Sequence, residues 1–210
     1  MTLVERLFTV MTKPWVAMSY LGLIALSYFY LDKPLILLIS AYHLDTCCSY
    51  LQFLTLFGEN KIYLISLLLC ALFFHYIKHN QQWARRAWFL WLCVLISNLI
   101  CLILKVSLGR ARPELWFNEQ LYGFYGFHHQ SSYWSFPSGH TTTMMGFVFG
   151  LGLVFPRYAW LYLLFGCTVM LTRILLLQHY VSDVLIAVDL ALLEVGVLWI
   201  FARRKKWLKT

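Results

Sequence analysis

Six long apolar runs restrict what this chain can fold into. They cover residues 14–31, 62–77, 87–104, 135–155, 158–177 and 181–201. A helix needs about 17–25 such residues to cross lipid, and only helices or closed barrels can cross it. The runs lack the regular alternation of polar and apolar residues that barrel strands show. The sequence therefore predicts an all-α, polytopic membrane protein with six transmembrane helices.

The composition agrees with a membrane protein and argues against a soluble one. Hydrophobic residues make up 61% of the chain and charged residues 12%, whereas soluble domains carry about 25% charged residues. Residues 32–61 mix apolar and polar side chains, so we expect interfacial helices there, between the first two spans. We expect residues 1–210 to form a single domain.

The formal net charge of +8 does not indicate a nucleic-acid partner, because the basic residues are spread over connectors and the C-terminal tail. Membrane lipids with anionic head groups are the expected partners, and no obligate protein partner is indicated. None of the six cysteines has zinc-ligand spacing, and Cys47 and Cys48 are adjacent in a polar connector. We therefore expect no disulfide framework, no metal site and no cofactor.

The distribution of Lys and Arg in the short connectors predicts the orientation. With six spans, most of these residues fall on one side, which should be the cytoplasm together with both termini. The opposite side holds residues 105–140, which carry Lys105, Arg110 and Arg112. Because the orientation rule disfavours cations on this side, we expect these three residues to have a function other than setting the topology. The cations assigned to the cytoplasmic side are Arg6, Lys13, Lys78, Arg85, Arg86, Arg157, Arg203, Arg204, Lys205, Lys206 and Lys209.

Two of three polar clusters on the outer side could bind an anion. In KVSLGRARP, Lys105 and Arg112 would, taken alone, be ordinary contacts to lipid head groups. In PSGH, Ser138 and Gly139 open a helix. They could simply cap it, or they could present free backbone N–H groups and the positive helix end to an oxyanion.

The third cluster, RILLLQHYVSD, places His179 and Asp183 four residues apart, and therefore on one face of a helix. A carboxylate at that spacing can fix the tautomer of the imidazole and leave the other nitrogen as a base or nucleophile. Alone, such a pair is more often a structural hydrogen bond, and His140 alone could be an ordinary interfacial histidine.

Together the clusters fit one task. Lys105, Arg112 and Arg173, with a helix N-terminus, would bind a multiply charged oxyanion, and His140 and His179 would supply a nucleophile and a proton carrier. Phosphoryl transfer needs such a set: charge stabilisation, an in-line nucleophile and an acid for the leaving oxygen.

These residues also carry a resemblance. The chain is similar to the type 2 phosphatidic acid phosphatase family, whose pattern is K-x6-R-P, P-S-G-H and S-R-x5-H-x3-D. Thr172 stands where that family usually has Ser, and no Gly follows Asp183 in VLIAVD. The identities are Lys105, Arg112, Pro113, Pro137, Ser138, Gly139, His140, Arg173, His179 and Asp183.

The resemblance implies a six-helix membrane phosphatase that needs no metal. It implies that His179 attacks phosphorus and becomes phosphohistidine, that Asp183 orients His179, and that His140 protonates the leaving group and then activates water. It assigns the phosphate to Lys105, Arg112, Ser138, Gly139 and Arg173.

Alternatives remain open at this stage. The substrate could be phosphatidylglycerophosphate, phosphatidate, undecaprenyl diphosphate or a lipid A phosphate. The same site could serve a lipid phosphotransferase, and an anion transporter is a more remote reading. Short connectors favour a bacterial inner-membrane enzyme whose active site faces the periplasm or outside.

Two further features carry expectations. The aromatic residues between Trp116 and Trp134 are typical of an interfacial belt, or else form a lid over an acyl or prenyl chain. Asp189 and Glu194 lie within the sixth run, so we expect both to face the bundle, with Asp189 bonded to a neighbour such as Asn98.

Overall fold

The computed structural model describes residues 1–43 and 49–208, and this part of the chain is helical and contains no β-strand. Cys47 and Cys48 lie outside the described residues. We number its α-helices in chain order. They are α1 (Leu3–Met11), α2 (Pro14–Leu26), α3 (Asp32–Ala41), α4 (Ser49–Thr55), α5 (Asn60–Leu72), α6 (Gln81–Leu108), α7 (Pro113–Glu119), α8 (Gly139–Val154), α9 (Ala159–Leu175) and α10 (Val181–Arg204).

Five helices in the described ranges are long and apolar enough to cross a membrane. They correspond to five of the predicted runs, and they cover Pro14–Ala41, Asn60–Ile77, Gln81–Leu108, Pro156–Leu175 and Val181–Arg204. The fourth predicted run forms α8, which is shorter, at 16 residues. The all-α membrane architecture is therefore confirmed, while the count of six spans stays a prediction.

The first span is longer than the sequence indicated. A π-helical turn, Ser27–Leu31, joins α2 to α3 without a break, so Asp32–Ala41 continues the spanning helix. The segment expected at the interface therefore begins within this continuous helix, and its position relative to the membrane surface stays a prediction. Asp32 is fully buried, and its interactions, described below, explain why a charged residue can sit inside this helix.

Helix α8 lies in the middle of the bundle, against α6, α9 and α10. Eleven of its 16 residues are buried, which is why its sequence is apolar all round. One side packs Met145 and Phe149 against Phe89 of α6 and Val195 of α10. In contrast, large apolar side chains of α2 such as Trp15 and Met18 are about 70% exposed, as a lipid-facing surface requires.

Both described ends of the chain lie at the same end of the bundle. Helix α1 packs against α10, where the Glu5 carboxylate accepts hydrogen bonds from Trp199 Nε1 and Arg203 Nη1, both at 2.8 Å. The C-terminus of α6 and the N-termini of α8 and α10 lie at the opposite end, which carries the predicted site.

Both intramembrane acids have a buried carboxylate oxygen, but the hydrogen bond expected for one of them is absent. Asn98 bonds to Thr143, Asn60 and the Val94 carbonyl, so the predicted Asp189–Asn98 hydrogen bond is wrong. Asp189 instead has a buried carboxylate oxygen without a partner.

Candidate functional site

The segment after α6 is held by backbone pairing on both sides. Helix α6 ends at Gly109 with a positive φ of 54°. A Cβ at Gly109 would lie 2.0 Å from the Gly126 carbonyl oxygen, so only glycine fits this turn. The Ala111 N–H then donates to the Gly123 carbonyl at 3.1 Å. On the other side, the Arg112 N–H donates to the Ser132 carbonyl at 2.9 Å.

The starts of α8 and α10 meet beside this segment. The Ser138 N–H donates to the Asp183 carbonyl at 3.2 Å, which ties the PSGH cluster to the His179 cluster. Helix α8 begins at Gly139 with Ser138 in the capping position, so the first N–H groups of the helix face the same region. An ideal Cβ on Gly139 would lie 3.5 Å from Lys105 Cε.

His179 is 1% exposed, and its bonding defines its tautomer. Nδ1 lies 2.7 Å from the Ser135 carbonyl oxygen; a carbonyl can only accept, so Nδ1 carries the proton. Asp183 Oδ2 is 3.7 Å from Nδ1, which is a charge contact and not a hydrogen bond. Asp183 instead accepts from Ser135 Oγ at 2.6 Å. The Ser135 residue therefore links the imidazole to the carboxylate, and Nε2 keeps its lone pair.

Electrostatics keep His179 neutral. Burial lowers the pKa of His179 well below its usual value, and the charges of Lys105 and Arg173 lower it further, against the opposing effect of Asp183. A neutral imidazole with a free Nε2 can act as a nucleophile.

Three cations converge on this region without a carboxylate partner. Lys105 Nζ donates to the Trp134 carbonyl at 2.6 Å, and Arg112 Nη1 to Gln178 at 3.2 Å. Arg173 Nη1 donates to Thr55 Oγ1 at 2.6 Å. Within residues 1–43 and 49–208, none of the three forms a salt bridge.

The two arginines keep unused donors. The buried Nε atoms of Arg112 and Arg173 have no hydrogen-bond partner in the described structure. Burial lowers the pKa of Arg112, so its charge is held in an environment poor in water. Unpartnered buried donors on neighbouring cations mark a place that an anion would satisfy.

His140 lies on the first turn of α8, within electrostatic range of Arg173, Lys105 and Arg112. Its Nε2 is 3.2 Å from Glu59 Oε1. The structure thus brings the predicted site residues from all three motifs into one region at one end of the bundle. Sequence reasoning missed Glu59, because it lies 46 positions before Lys105, where the first motif starts, and no pattern in the neighbouring residues distinguishes it.

Arg110 is the second residue that sequence reasoning did not place in the site. It is fully buried, and its guanidinium donates to Asp183 Oδ1 at 2.5 Å, Asp32 Oδ2 at 2.7 Å and Ser182 Oγ at 2.7 Å. The Ser182 hydroxyl donates in turn to Asp32. Tyr122 also contacts this network, at 3.3 Å from Asp32. Arg110 therefore fixes the carboxylate that lies beside His179.

Aromatic rings complete the surroundings of Arg110. Although burial opposes its charge, Asp183 and Asp32 hold the pKa of Arg110 above its usual value. Part of the aromatic loop packs around this cation, and its role as a belt or a lid stays a prediction. The rings within 4.5–5.5 Å of the guanidinium carbon are Tyr28, Tyr122, Phe124 and Tyr180.

The arrangement can hold a tetrahedral anion between three cations and a helix N-terminus, beside one neutral and one accessible imidazole. The described residues contain no group of three or more His, Cys, Asp or Glu side chains placed to hold a metal ion.

Comparison with known proteins gives relatives for this arrangement. Residues 86–207 match the family model of the PAP2 superfamily, a range that contains all three motifs. A 97-residue stretch is 36% identical to a protein named lipid A 1-phosphatase from Rhizobium johnstonii, and 35% identical to one of the same name from Rhizobium etli. These matches cover 46% of this chain, and 40% and 42% of the two relatives.

The fold has a counterpart among solved structures. A transmembrane PAP2-type phosphatidylglycerolphosphate phosphatase from Bacillus subtilis aligns with a TM-score of 0.53 and 20% identity, over 96% of this chain and 92% of that one. This likeness concerns the fold. The family model spans residues 86–207, which is more than half of the chain, and the chain therefore belongs to the PAP2 superfamily.

Proposed function

We propose that residues 1–210 form one membrane-embedded lipid phosphatase unit that cleaves a phosphate monoester or diphosphate through a phosphohistidine intermediate. The observation that carries this proposal is a set of three cations without carboxylate partners among residues 1–43 and 49–208. Two of them have unused buried Nε donors, and they lie beside a neutral imidazole whose Nδ1 carries the proton. Lys105, Arg112 and Arg173 are the phosphate-binding cations in this proposal.

In the first half of the reaction, His179 Nε2 attacks phosphorus, the bond from phosphorus to the leaving oxygen breaks, and the phosphoryl group passes to His179. The Ser138 hydroxyl and the Gly139 N–H join the cations in stabilising the equatorial oxygens. His140 gives a proton to the leaving oxygen. In the second half, His140 takes a proton from water, which attacks the phosphohistidine and releases inorganic phosphate.

Asp183 stabilises the imidazolium that forms when His179 is phosphorylated. Ser135 mediates this effect, because its carbonyl accepts from Nδ1–H and its hydroxyl donates to Asp183. Cations take the role that a metal ion plays in other phosphoryl-transfer enzymes, so we propose that no metal is needed.

The substrate we propose is an envelope lipid phosphate. The name of the two Rhizobium relatives, lipid A 1-phosphatase, favours a lipid A phosphate within this group, and phosphatidylglycerophosphate, phosphatidate and undecaprenyl diphosphate form the comparison panel. We place the protein in the bacterial inner membrane with the active site facing the periplasm, because the Lys and Arg distribution supports it.

The test is a phosphate-release assay with the purified full-length chain over that panel of lipids. We expect inorganic phosphate from at least one lipid, inhibition by vanadate, and loss of release in His179→Ala protein that keeps its thermal unfolding midpoint. Labelled phosphate recovered on a lipid or sugar acceptor would identify a phosphotransferase. Flux of intact anion into proteoliposomes without bond cleavage would identify a transporter, and either result would overturn the proposal.

A further inference from the structure

The connector before α5 contacts two residues of the proposed site from outside the three motifs. Thr55 Oγ1 accepts from Arg173 Nη1 at 2.6 Å, and Glu59 Oε1 lies 3.2 Å from His140 Nε2. Between them, the 3-10 turn Leu56–Gly58 packs against α8. Residues 55–59 therefore reach both the phosphate-binding and the proton-transferring parts of the site.

Gly58 fixes how closely this connector approaches His140. A Cβ at Gly58 would lie 2.7 Å from both Cβ and Cδ2 of His140, which is too close for any other residue without moving the ring. The Cδ2 edge of the imidazole therefore faces the connector, and the edge that carries Nδ1 faces away from it. Since Nε2 lies on the connector side as well, the two contacts agree on one ring orientation.

The charges around His140 give Glu59 a specific task. Burial disfavours a positive charge on the ring, and Arg173 from α9, Lys105 from α6 and Arg112 from the segment before α7 disfavour it further. Within the described residues, Glu59 is the carboxylate that forms a salt bridge with it. An acid must hold its proton before it can give it to a leaving oxygen, so a nearby anion is needed to offset three cations.

We propose that Glu59 is a positioning residue for His140, resting on the phosphatase function proposed above. The Glu59 carboxylate accepts from Nε2–H and keeps that proton on Nε2 throughout. Nδ1 is then the atom that exchanges protons. It gives its proton to the leaving oxygen as the bond from phosphorus to oxygen breaks, and it later accepts a proton from the attacking water. The site thus holds two imidazole–carboxylate pairs, one for the nucleophile and one for the acid.

The test compares leaving groups in the full-length protein. An alkyl phosphate such as short-chain phosphatidate releases a strongly basic alkoxide that needs a proton, whereas p-nitrophenyl phosphate releases a weakly basic phenolate that does not. We expect Glu59→Gln to lower kcat for the alkyl phosphate by roughly 10-fold, with little change for the aryl phosphate. The kcat–pH profile for the alkyl phosphate should move towards acid. Glu59→Asp should recover part of the rate, and Glu119→Gln, at an exposed carboxylate, should leave it unchanged.

A second variant tests the ring orientation. Gly58→Ala should also lower kcat for the alkyl phosphate and leave kcat for the aryl phosphate nearly unchanged, because the added Cβ displaces the imidazole of His140. Gly22→Ala is the matched control, since a Cβ at Gly22 meets nothing within 4 Å.

Two results would overturn the inference while leaving the phosphatase function intact. Equal losses on both substrates would show a structural role for Glu59. A lower KM with unchanged kcat would show that the carboxylate competes with phosphate for the cations. Absence of phosphate release by the wild-type protein on every substrate would instead refute the proposed function itself.

Discussion

Removing the positive charge of Arg110 tests the buried network that fixes Asp183. The Arg110→Met substitution keeps an unbranched apolar side chain but deletes the donors to Asp183, Asp32 and Ser182. Both ion pairs have side chains with 0% exposure, so water cannot replace the lost guanidinium. Two carboxylates would be left buried without a cation, although hydrogen bonds from Ser135 and Ser182 would remain.

The expected cost follows from that burial. Breaking one buried ion pair by removing a partner costs about 3–5 kcal/mol. The two carboxylates of this network share one arginine, and one of them can take up a proton, so we do not double the figure. For a chain of this length, that loss lowers the thermal unfolding midpoint by roughly 10 °C.

The assay is thermal unfolding of purified protein in detergent, followed by tryptophan fluorescence. Arg157→Met, at an exposed arginine beside Tyr158, is the control and should shift the midpoint by at most about 2 °C. Adding Asp32→Asn to Arg110→Met should recover part of the loss, because it removes one of the stranded charges. Equal midpoints for Arg110→Met and Arg157→Met would refute the reasoning.

Three further outcomes are expected for the proposed reaction. Because burial lowers the pKa of His179 below 6.5 and only the neutral ring can attack, the acidic fall in kcat/KM should lie below that pH; a fall centred above it would contradict the assignment. Arg173→Gln should weaken inhibition by vanadate roughly 10-fold or more, since a charge-assisted contact is worth about 1.5–3 kcal/mol; unchanged inhibition would remove Arg173 from the phosphate site. Treatment with EDTA should leave phosphate release unchanged, and activity restored only by an added metal ion would show that the cations do not suffice.

The sequence predicted the architecture well where hydrophobicity decides it. Lipid leaves helices as the practical solution for long apolar runs, so five predicted runs reappear as helices of spanning length. The continuation of the first helix through Asp32 was not predictable in the same way. A carboxylate normally ends such a run, and Asp32 is stabilised in the interior by distant partners, Arg110, 78 positions away, and Ser182.

The candidate site was predictable to the extent that its residues lie in spaced motifs. The spacing of His179 and Asp183 predicted that they share a helix face, but this is wrong, because α10 begins at Val181 and His179 precedes it. The link between them runs through Ser135, on a loop 44 positions earlier. Glu59 and Arg110 show the limit of the approach. Each is defined by a contact across the bundle, and neither has a local pattern that separates it from an ordinary surface acid or a head-group-binding arginine.

The most direct measurement is the detection of phosphate covalently bound to the protein during turnover. Lipid phosphate with a radioactive phosphoryl group would be mixed with the full-length chain, quenched within the first turnover at alkaline pH, where phosphohistidine survives, and the labelled peptide sequenced. We expect the label on His179, and none in the His179→Gln variant. Label on another residue, or turnover by His179→Gln at a rate near that of the wild type, would contradict the assignment of His179 as nucleophile.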